Sequence, residues 1–540
     1  MTSNETAPAS SQRVFARDAT GLVREVSWFD AAAYNMIWAS IPLAIALLIS
    51  LGPALYTGGN LYLAILFAFL LTAPMALLYA MFSSAIPRSG GDYTWISRAL
   101  SPPLGFMSNL SWNFWVAYFI GTYAVYTTSY GISPLIRLYA ARLNDPGLIT
   151  WANWLNGRNG VLVVGLIIVI LAGLLLSFGR GLSTFARIQR WAFLVWFVGT
   201  IILPAIILLL TSHAAVVGRL DHYVAALNGP HHAVSVILAK GGYTAQPFSF
   251  KHSLTMVTLV FYTLAFLFSS VYFGGEIKRG RWSNLLSISG AHLFSAICIL
   301  VLTIAFIVTM GLPLLADLGI VSPGVYGFSF GVLYTELAAV ISGNIIVGTI
   351  IQAGMIMMLI IFVPQTMLLL SRNIFAWSFD RILPEKLAEV HPRTHSPVYA
   401  VAVITVVGII SVIILAFNPS LTFLVGLFGL SITYLCVAVA GIVFPYRQRD
   451  VFEASPYNHR LGGIPVMSIV AAVALVFMAG ASVILLLDSN SGTNWHINTN
   501  RVILAASVFV IGLPIYYGIR ALQRRQGVNI DLAFREIPPE

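Results

Sequence analysis

Residues 31–55 read AAAYNMIWASIPLAIALLISLGPAL, a run of 25 residues without Asp, Glu, Lys, Arg or His. An α-helix of this length rises about 37 Å, enough to cross the hydrocarbon core of a bilayer, which is about 30 Å thick. A soluble domain would have to hide every side of such a helix from water. The stretch therefore predicts a transmembrane helix.

The same pattern recurs along the whole chain of 540 residues. Hydrophobic residues make up 58% of it and charged residues 9%, whereas soluble domains have about 45–50% and about 25%. The predicted spans, numbered helix 1 to helix 12, are 31–55, 61–84, 103–135, 160–178, 187–211, 253–275, 286–311, 344–370, 398–417, 421–444, 464–487 and 502–520. The sequence thus predicts an all-α integral membrane protein of about twelve transmembrane helices.

Basic residues indicate the orientation of these helices. The net charge is +10 at pH 7, and Lys and Arg hold short loops on the cytoplasmic side. With the N-terminus in the cytoplasm, 22 of the 29 Lys and Arg residues lie on that side. Residues 1–26 then form a cytoplasmic tail without a cleaved signal peptide, 212–252 an extracytoplasmic loop and 521–540 a cytoplasmic tail. This orientation explains the basic composition without a nucleic-acid partner, and we expect the chain in the plasma membrane.

The helices divide into two units of similar length. Helices 1–5 occupy 27–211, helices 6–10 occupy 253–445, and helices 11 and 12 follow within 463–520. Because five is odd, the second unit enters the membrane upside down relative to the first. Many secondary transporters contain such an inverted repeat, with the site between the first helices of the two units. The expected fold is this five-plus-five repeat with two peripheral helices.

Charge is almost absent from the middle of the spans, with His292 the main exception. Since a proton pump or a voltage sensor needs intramembrane carboxylates or arginines, the sequence argues against both. Cys298 and Cys436 lie within apolar runs, so no disulfide framework is expected. The five histidines of loop 212–252 have no paired cysteine or acidic cluster beside them, which favours a solvated loop over a metal site. We predict neither a metal nor a cofactor.

Helix 1 contains Ser40-Ile41-Pro42 near mid-membrane, where proline removes a backbone hydrogen bond. A helix opened there presents N–H groups at one half-helix end, which can bind a carboxylate, and carbonyls at the other, which can bind an amine, without a charged side chain. In helix 6, Tyr262, Thr263, Phe266 and Ser269 occupy the corresponding depth. A packed kink at the proline and helix packing by Ser and Thr are the alternatives.

Three loops carry motifs in a fixed order. These are Pro87-Arg88-Ser89-Gly90-Gly91-Asp92-Tyr93 with Arg98 and Pro103-Leu104-Gly105-Phe106, leading to Trp112; Gly275-Glu276-Ile277-Lys278-Arg279 with Arg281; and Ser371-Arg372 with Asp380, Leu383-Pro384, Val390-His391 and Ser396-Pro397. In order and spacing they resemble the loops of the amino acid/polyamine/organocation superfamily of permeases. The resemblance covers nearly the whole chain.

The resemblance implies a permease for an amino acid or a related small amine that works by alternating access. Backbone groups around Ser40, Ile41 and Pro42 and around Tyr262 to Phe266 would hold the substrate. Asn113, Tyr118 and Ser269 would line its side-chain pocket. Arg88, Asp92, Glu276 and Arg372 would form a gate on the cytoplasmic side, although loop structure and orientation account for part of these motifs.

The chain departs from the family pattern at the site itself. Family members usually carry Gly-x-Gly at the break in helix 1, where this chain has Ser40-Ile41-Pro42, and helix 6 lacks a mid-helix glycine pair. Some proton-coupled relatives place a lysine in helix 5, at the position of Trp196 here. That coupling route is absent, and the coupling ion is open between a proton and sodium.

Two other functions compete with transport. A membrane-embedded enzyme needs clustered His, Asp or Glu at one membrane face, and residues 380–395 hold the one such cluster, which a charged loop explains better. We therefore predict no enzyme activity. A transporter-like sensor shares every feature above, so the sequence does not separate it from a carrier.

Overall fold

A computed structural model describes residues 24–179, 181–278, 282–322, 334–418 and 425–534 of the chain. In these residues ten helices are long and apolar enough to cross a membrane, and the bent helix 6 makes eleven. The one predicted span that is not among these eleven is helix 3. It begins with Pro102–Tyr126, a 25-residue helix that carries more polar side chains than its neighbours. The prediction of an all-α membrane protein of about twelve helices is confirmed.

The observed bounds follow the predicted spans closely. Helix 1 is Trp28–Trp38 and Ile41–Leu55, helix 2 Leu61–Ala85, helix 3 Pro102–Tyr126 extended by Thr127–Ile132 and Ser133–Leu143, helix 4 Arg158–Phe178, helix 5 Gly181–Phe197 with Val198–Ile202 and Leu203–Leu210, and helix 6 Phe250–Thr255, Thr258–Ala265 and Ser269–Tyr272. Helix 7 is Leu285–Gly290 and Ala291–Met310, helix 8 Ile345–Phe379, helix 9 Val398–Phe417, helix 10 Val425–Arg447, helix 11 Val466–Leu487, and helix 12 Thr499–Val510 and Gly512–Arg525.

Proline has different effects in different helices. Helix 2 continues through Pro74 and helix 8 through Pro364. Helix 1 stops at Trp38 and restarts at Ile41, so that Pro42 lies in the first turn of the second half. There its missing N–H removes no hydrogen bond within that half. Proline therefore marks a true break in helix 1, whereas Pro74 and Pro364 stay within continuous helices.

Helices 1 and 6 run in opposite directions. Val26, just before helix 1, forms a parallel bridge with Ile277, just after helix 6. The backbone N–H groups of Glu25 and Val26 both donate to the carbonyl of Glu276 at 3.1 Å. Helix 6 thus ends at the face of the bundle where helix 1 begins, as an inverted repeat requires. We call this the N-terminal face and the other end the opposite face.

Both long loops of the opposite face contain helices. Loop 212–252 holds His213–Ala226 and Ala233–Gly241, and the loop between helices 7 and 8 holds Leu312–Ile320 and Tyr334–Ser342. Pro323-Gly324 lies outside the described residues. A Cβ added to Gly319 would lie 2.2 Å from the carbonyl oxygen of Ser50 in helix 1, so this loop packs directly on the second half of helix 1.

On the N-terminal face, the short helix Asp92–Ala99 joins helices 2 and 3. The 3-10 turn Glu385–Ala388 lies between helices 8 and 9, and the helix Arg449–Glu453 with the hairpin of β1 (Arg460–Leu461) and β2 (Ile464–Pro465) lies between helices 10 and 11. The chain is described up to the turn Ile530–Phe534. These pieces surround the inner ends of helices 1, 6 and 8.

Candidate functional site

The break in helix 1 is held in an unusual backbone conformation. Ser40 has φ +51° and ψ +47°, the left-handed region that residues other than glycine rarely adopt. Its hydroxyl lies 2.5 Å from the hydroxyl of Tyr123 in helix 3. Pro42 has no N–H to donate to the carbonyl of Trp38, so the two halves are not joined at this point by the usual helical hydrogen bond. Ile41–Leu55 therefore starts as a separate helix. The N–H groups of Leu43 and Ala44 in its first turn donate to the carbonyl of Ser40, at 2.9 and 3.3 Å.

Helix 6 is broken at the same depth. Thr258–Ala265 ends before a turn at residues 266–268, and the chain resumes as a 3-10 turn from Ser269 to Tyr272. The axis of helix 6 also bends by 50° between Phe250–Phe261 and Thr263–Tyr272. Both interruptions lie in the helices in which the sequence predicts the substrate site.

Asn35 of helix 1 joins the two broken helices. Its amide oxygen accepts from the backbone N–H of Ser270 at 2.8 Å, and its Nδ2 donates to the hydroxyl of Ser270 at 3.0 Å. The same Nδ2 donates to the carbonyl of Ser287 in helix 7 at 2.7 Å. One fully buried amide thereby satisfies backbone groups that unwinding leaves exposed.

Aromatic rings fill the space between the breaks. Trp38 packs against Phe119, Phe266 and Phe362, with ring centroids 6.4, 5.6 and 4.7 Å away. Tyr123 stacks on Phe362 with centroids 3.4 Å apart. Helices 1, 3, 6 and 8 each contribute to this aromatic cluster, which the sequence reasoning missed except for Phe266. A tryptophan beside a helix break was the available signal.

The remaining helix 6 candidates lie at or near its break. Phe266 is 3% exposed, and the hydroxyl of Ser269 donates to the carbonyl of Phe266 at 2.9 Å. Thr263 is fully buried, and its hydroxyl has no hydrogen-bond partner among the described residues. Tyr262 belongs to the helix Thr258–Ala265, but its side chain lies outside the described part of the structure.

Asn113 faces helix 8 rather than the breaks. Its Nδ2 donates to the carbonyl of Asn109 at 2.7 Å, and its Oδ1 accepts from Asn373 at 2.9 Å. Successive residues of a helix are about 100° apart. The side chain of Asn113 therefore points in a different direction from that of Trp112. Trp112 is the residue that contacts Phe266, with ring centroids 5.8 Å apart.

Tyr118 likewise lies off the face that meets the breaks. Its carbonyl accepts from the hydroxyl of Ser411 in helix 9 at 3.2 Å. Phe119, the next residue, packs on Phe266 with centroids 5.6 Å apart. Phe119 and Tyr123, four residues apart, share one face of helix 3 and replace Asn113 and Tyr118 as the residues nearest the breaks.

Two buried ion pairs lie beneath the breaks at the N-terminal face. Arg372 donates to both carboxylate oxygens of Glu276, at 2.7 and 2.9 Å, and both side chains are 2% exposed. Arg98 donates to both oxygens of Asp380, at 2.7 and 2.8 Å. The hydroxyl of Tyr93 donates to Asp380 at 2.7 Å. The first pair joins two of the predicted gate residues, whereas the second was not predicted.

Asp92, also a predicted gate residue, is held by neutral groups. It is fully buried and accepts from the hydroxyl of Tyr272 at 2.7 Å, from Nδ2 of Asn109 at 2.9 Å and from the hydroxyl of Tyr79 at 3.4 Å. Burial outweighs these hydrogen bonds and raises the pKa of Asp92 to about 6. Asp92 is therefore ionised at neutral pH, although its burial makes the charged form less stable than it would be in water.

The loop before Asp92 approaches helix 6 closely. Gly90 and Gly91 have φ +89° and +47°, and a Cβ on Gly91 would lie 3.0 Å from side-chain atoms of Val271 and Tyr272. Arg88, the fourth predicted gate residue, lies half-buried in this loop, and its Nη1 is 3.4 Å from the carbonyl of Pro87. The Gly-Gly pair is thus required for the contact between loop and helix 6.

A third buried ion pair seals the opposite face. Arg137 at the end of helix 3 donates to both oxygens of Glu336 in the loop helix Tyr334–Ser342, at 2.9 and 2.7 Å. Tyr223 of the helix His213–Ala226 donates to Glu336 at 2.8 Å. The breaks are therefore enclosed by contacts on both faces, with Ser40 and Phe266 nearly inaccessible to solvent.

Comparison with known proteins settles the class of molecule. The profile of the amino acid permease family matches residues 27–512, most of the chain. The chain belongs to the amino acid permease family. This family is part of the superfamily that the loop motifs resemble, so that prediction is confirmed. No curated protein matches the chain. The permease is a membrane transporter for a small molecule.

Proposed function

We propose that this permease is a secondary active transporter for an amino acid or a related small amine, with its substrate site between the broken helices 1 and 6. The observation that carries the proposal is the meeting of two helix breaks around one aromatic cluster. Broken helices in membrane proteins line substrate sites, because half-helix ends offer partial charges without ionised side chains.

The half-helix ends of helix 1 suit a zwitterion. The N–H groups at the start of Ile41–Leu55 carry partial positive charge and attract a carboxylate, and the carbonyls at the end of Trp28–Trp38 attract an ammonium group. Trp38, Phe119 and Phe266 would pack on an apolar side chain. The cluster contains no ionised side chain, which favours a zwitterion over a strongly cationic polyamine.

The buried ion pairs support alternating access. Arg372–Glu276 and Arg98–Asp380 would close the N-terminal face, and Arg137–Glu336 would close the opposite face. We propose that the N-terminal face and both termini lie in the cytoplasm, which the excess of basic residues in the loops of that face supports. We propose the plasma membrane as the location, with the units 27–211 and 253–445 as the two repeats.

The function is tested by uptake of labelled amino acids and amines into proteoliposomes that contain the purified permease, with imposed proton or sodium gradients. Accumulation of one class of solute under one gradient is the expected result. Counterflow, in which trapped unlabelled solute draws in labelled solute without an ion gradient, detects a carrier that is not ion-coupled. Folded protein that moves no solute in either format would contradict the proposal and favour a sensor.

The contacts that close the opposite face can be tested by removing a single hydrogen bond. Tyr223→Phe removes one charge-assisted hydrogen bond to Glu336, worth about 1.5 kcal/mol, and should make the outer pathway roughly tenfold more accessible. Access is measured by the rate of thiol labelling of Thr335→Cys, a fully buried reporter next to Glu336. Tyr446→Phe, which alters a tyrosine that is 60% exposed, is the matched control. Equal labelling rates in both variants would show that the ion-pair cluster does not close this face.

A further inference from the structure

The carboxylate of Asp92 is not used by the proposed substrate site, and it differs from the other buried carboxylates of this face. Asp30, Glu276 and Asp380 each contact an arginine. The partners of Asp92 recorded within the described ranges are two hydroxyls and an amide, with the backbone N–H of Tyr93. These groups can stabilise either a carboxylate or, after rotation of a hydroxyl, a neutral carboxyl group.

The side chains recorded around Asp92 in the described part of the chain are neutral. Helix 2 contributes Tyr79, helix 3 contributes Asn109, helix 6 contributes Tyr272, and helix 10 contributes Tyr434 and Cys436. The nearest arginine on its own short helix is Arg98, which is engaged with both oxygens of Asp380. Arg372 is likewise engaged with Glu276. Asp92 is thus free to change its charge without breaking an ion pair.

Asp92 is also connected to both the substrate site and the N-terminal face. Tyr272, which donates to Asp92, stacks on Trp112 with centroids 5.6 Å apart, and Trp112 packs on Phe266 at the helix 6 break. At the N-terminal face, Gly274 lines a cavity of about 420 Å³, together with Ser83 of helix 2 and Pro87 of the loop before Asp92. Tyr272 therefore links Asp92 to the helix 6 break, and the cavity begins two residues further along the chain, at Gly274.

We propose that Asp92 is the proton acceptor that couples transport by this permease to a proton gradient. The inference rests on the proposed function. While the site is open to the outside, a proton from extracellular water binds the Asp92 carboxylate and gives a neutral carboxyl group. When the N-terminal face opens, water reaches the carboxyl group and takes the same proton to the cytoplasm. One proton enters and one leaves per cycle, and no covalent bond of the substrate changes.

Protonation also weakens the contact that holds helix 6 closed. An ionised Asp92 is a stronger acceptor for the Tyr272 hydroxyl than a neutral carboxyl group is. Loading the proton therefore loosens the segment Ser269–Tyr272 from the loop Gly90-Gly91-Asp92. Because burial raises the pKa of Asp92 to about 6, proton-driven uptake should rise as the external pH falls through about 6, and should be low at pH 8.

The test compares gradient-driven accumulation with counterflow in proteoliposomes. The probe is the labelled amino acid that gives the largest counterflow with the wild type, and proton entry is followed with a trapped pH-sensitive dye. Asp92→Asn should lose accumulation and solute-dependent proton entry at least tenfold more than it loses counterflow. Asp92→Glu, which keeps a titratable group, should restore part of both. Glu389→Gln, at an exposed carboxylate of the same face, should behave as wild type.

A second variant moves the pH profile without removing the carboxylate. Tyr272→Phe deletes the shortest hydrogen bond to Asp92. The ionised form of Asp92 is then less favoured, so the pKa of Asp92 rises. The midpoint of the pH profile of accumulation should then shift to higher pH, with Tyr446→Phe as the control. A merely structural role for Tyr272 would lower activity at every pH without moving the midpoint.

The outcomes separate the two proposals. Wild-type counterflow with no effect of a pH gradient, or Asp92→Asn that accumulates solute like the wild type, overturns the role of Asp92 and leaves the proposed function standing. Accumulation driven by a sodium gradient alone would also overturn the role of Asp92 and leave the proposed function standing. A wild type that shows neither counterflow nor accumulation overturns the proposed function and the coupling role with it.

Discussion

Replacement of Ser40 by leucine is expected to reduce solute uptake by roughly a hundredfold or more. Ser40 is buried with φ +51°, a conformation that already costs the wild-type serine about 1–2 kcal/mol and that leucine does not relieve. Overpacking of a filled core costs a further 1–3 kcal/mol, and the lost hydrogen bond to Tyr123 about 1 kcal/mol. These costs act on the broken form of helix 1, so the substituted helix should straighten or close the site.

Smaller substitutions at Ser40 separate the effect of backbone strain from the effect of the lost hydroxyl. Ser40→Gly relieves the backbone strain but removes the hydroxyl, and the two effects nearly cancel, so uptake should fall less than tenfold. Ser40→Ala keeps the strain and loses the hydroxyl, and should lie between glycine and leucine. Ser507→Leu, at an exposed position of helix 12, is the matched control for size and should leave uptake unchanged.

Initial uptake rates of the panel solute, normalised to reconstituted protein, provide the measurement. Thermal unfolding in detergent shows whether each variant is folded. If Ser40→Leu is folded and transports at the wild-type rate, the break in helix 1 is not part of the substrate site, and the proposed location would have to be abandoned.

The break in helix 1 could be predicted because its cause lies in adjacent residues of the sequence. A proline in the middle of an apolar span frees a carbonyl, and Ser40 beside Pro42 offers a residue small enough for the turn. The same local signal was ambiguous elsewhere, since helices 2 and 8 continue through Pro74 and Pro364. There, neighbouring helices in the folded bundle accommodate the proline, and no short stretch of sequence reports them.

The lining of the site could not be predicted in the same way. Helix 3 carries polar residues on several faces, so its sequence does not show which face meets helix 1. Asn113 and Tyr118 were chosen for their polarity, but Trp112, Phe119 and Tyr123 are the residues that contact the breaks. Helix 3 also carries an aromatic residue on its outer surface, Phe114, which is 52% exposed, so being aromatic does not by itself place a residue at the site.

Pairings between distant residues were the hardest to predict. Arg98 and Asp380 are separated by 282 residues, and Arg137 and Glu336 by 199. Each residue is visible in the sequence as a charge near a helix end, but nothing local assigns its partner. Glu276 and Arg372 could be proposed as gate residues because the resemblance placed both at the cytoplasmic side, and the fold brings them together.

Removal of either partner of the Glu276–Arg372 pair should shift the permease strongly towards opening of its N-terminal face. Both side chains are 2% exposed and share two hydrogen bonds. Arg372→Met leaves a buried carboxylate without a counter-charge, which costs about 3–5 kcal/mol. Water reaches Glu276 only when this face opens, so the closed form bears the cost, and its population should fall by roughly two to four powers of ten.

The shift is measured as the rate of thiol labelling from the side of the N-terminal face at Ser108→Cys, with Cys298 and Cys436 replaced by serine. Ser108 is a fully buried position one turn of helix 3 below Trp112. Labelling should be fast in Arg372→Met and in Glu276→Gln, and accumulation of solute should be lost in both. Arg449→Met, in an exposed pair of the same face, should label slowly, as the unmodified reporter does.

The double variant Glu276→Gln/Arg372→Met decides whether charge or shape closes this face. With both charges removed, no ion remains buried without a partner, and the cost of closure should be much smaller than in either single variant. Labelling should then return most of the way to the slow rate. If the double variant labels at least as fast as the single variants, the contribution of the pair is its packing rather than its charge, and the electrostatic gate would be refuted. A slow rate in the single variants would instead place the closure at Arg98–Asp380, where the same pair of substitutions can be made.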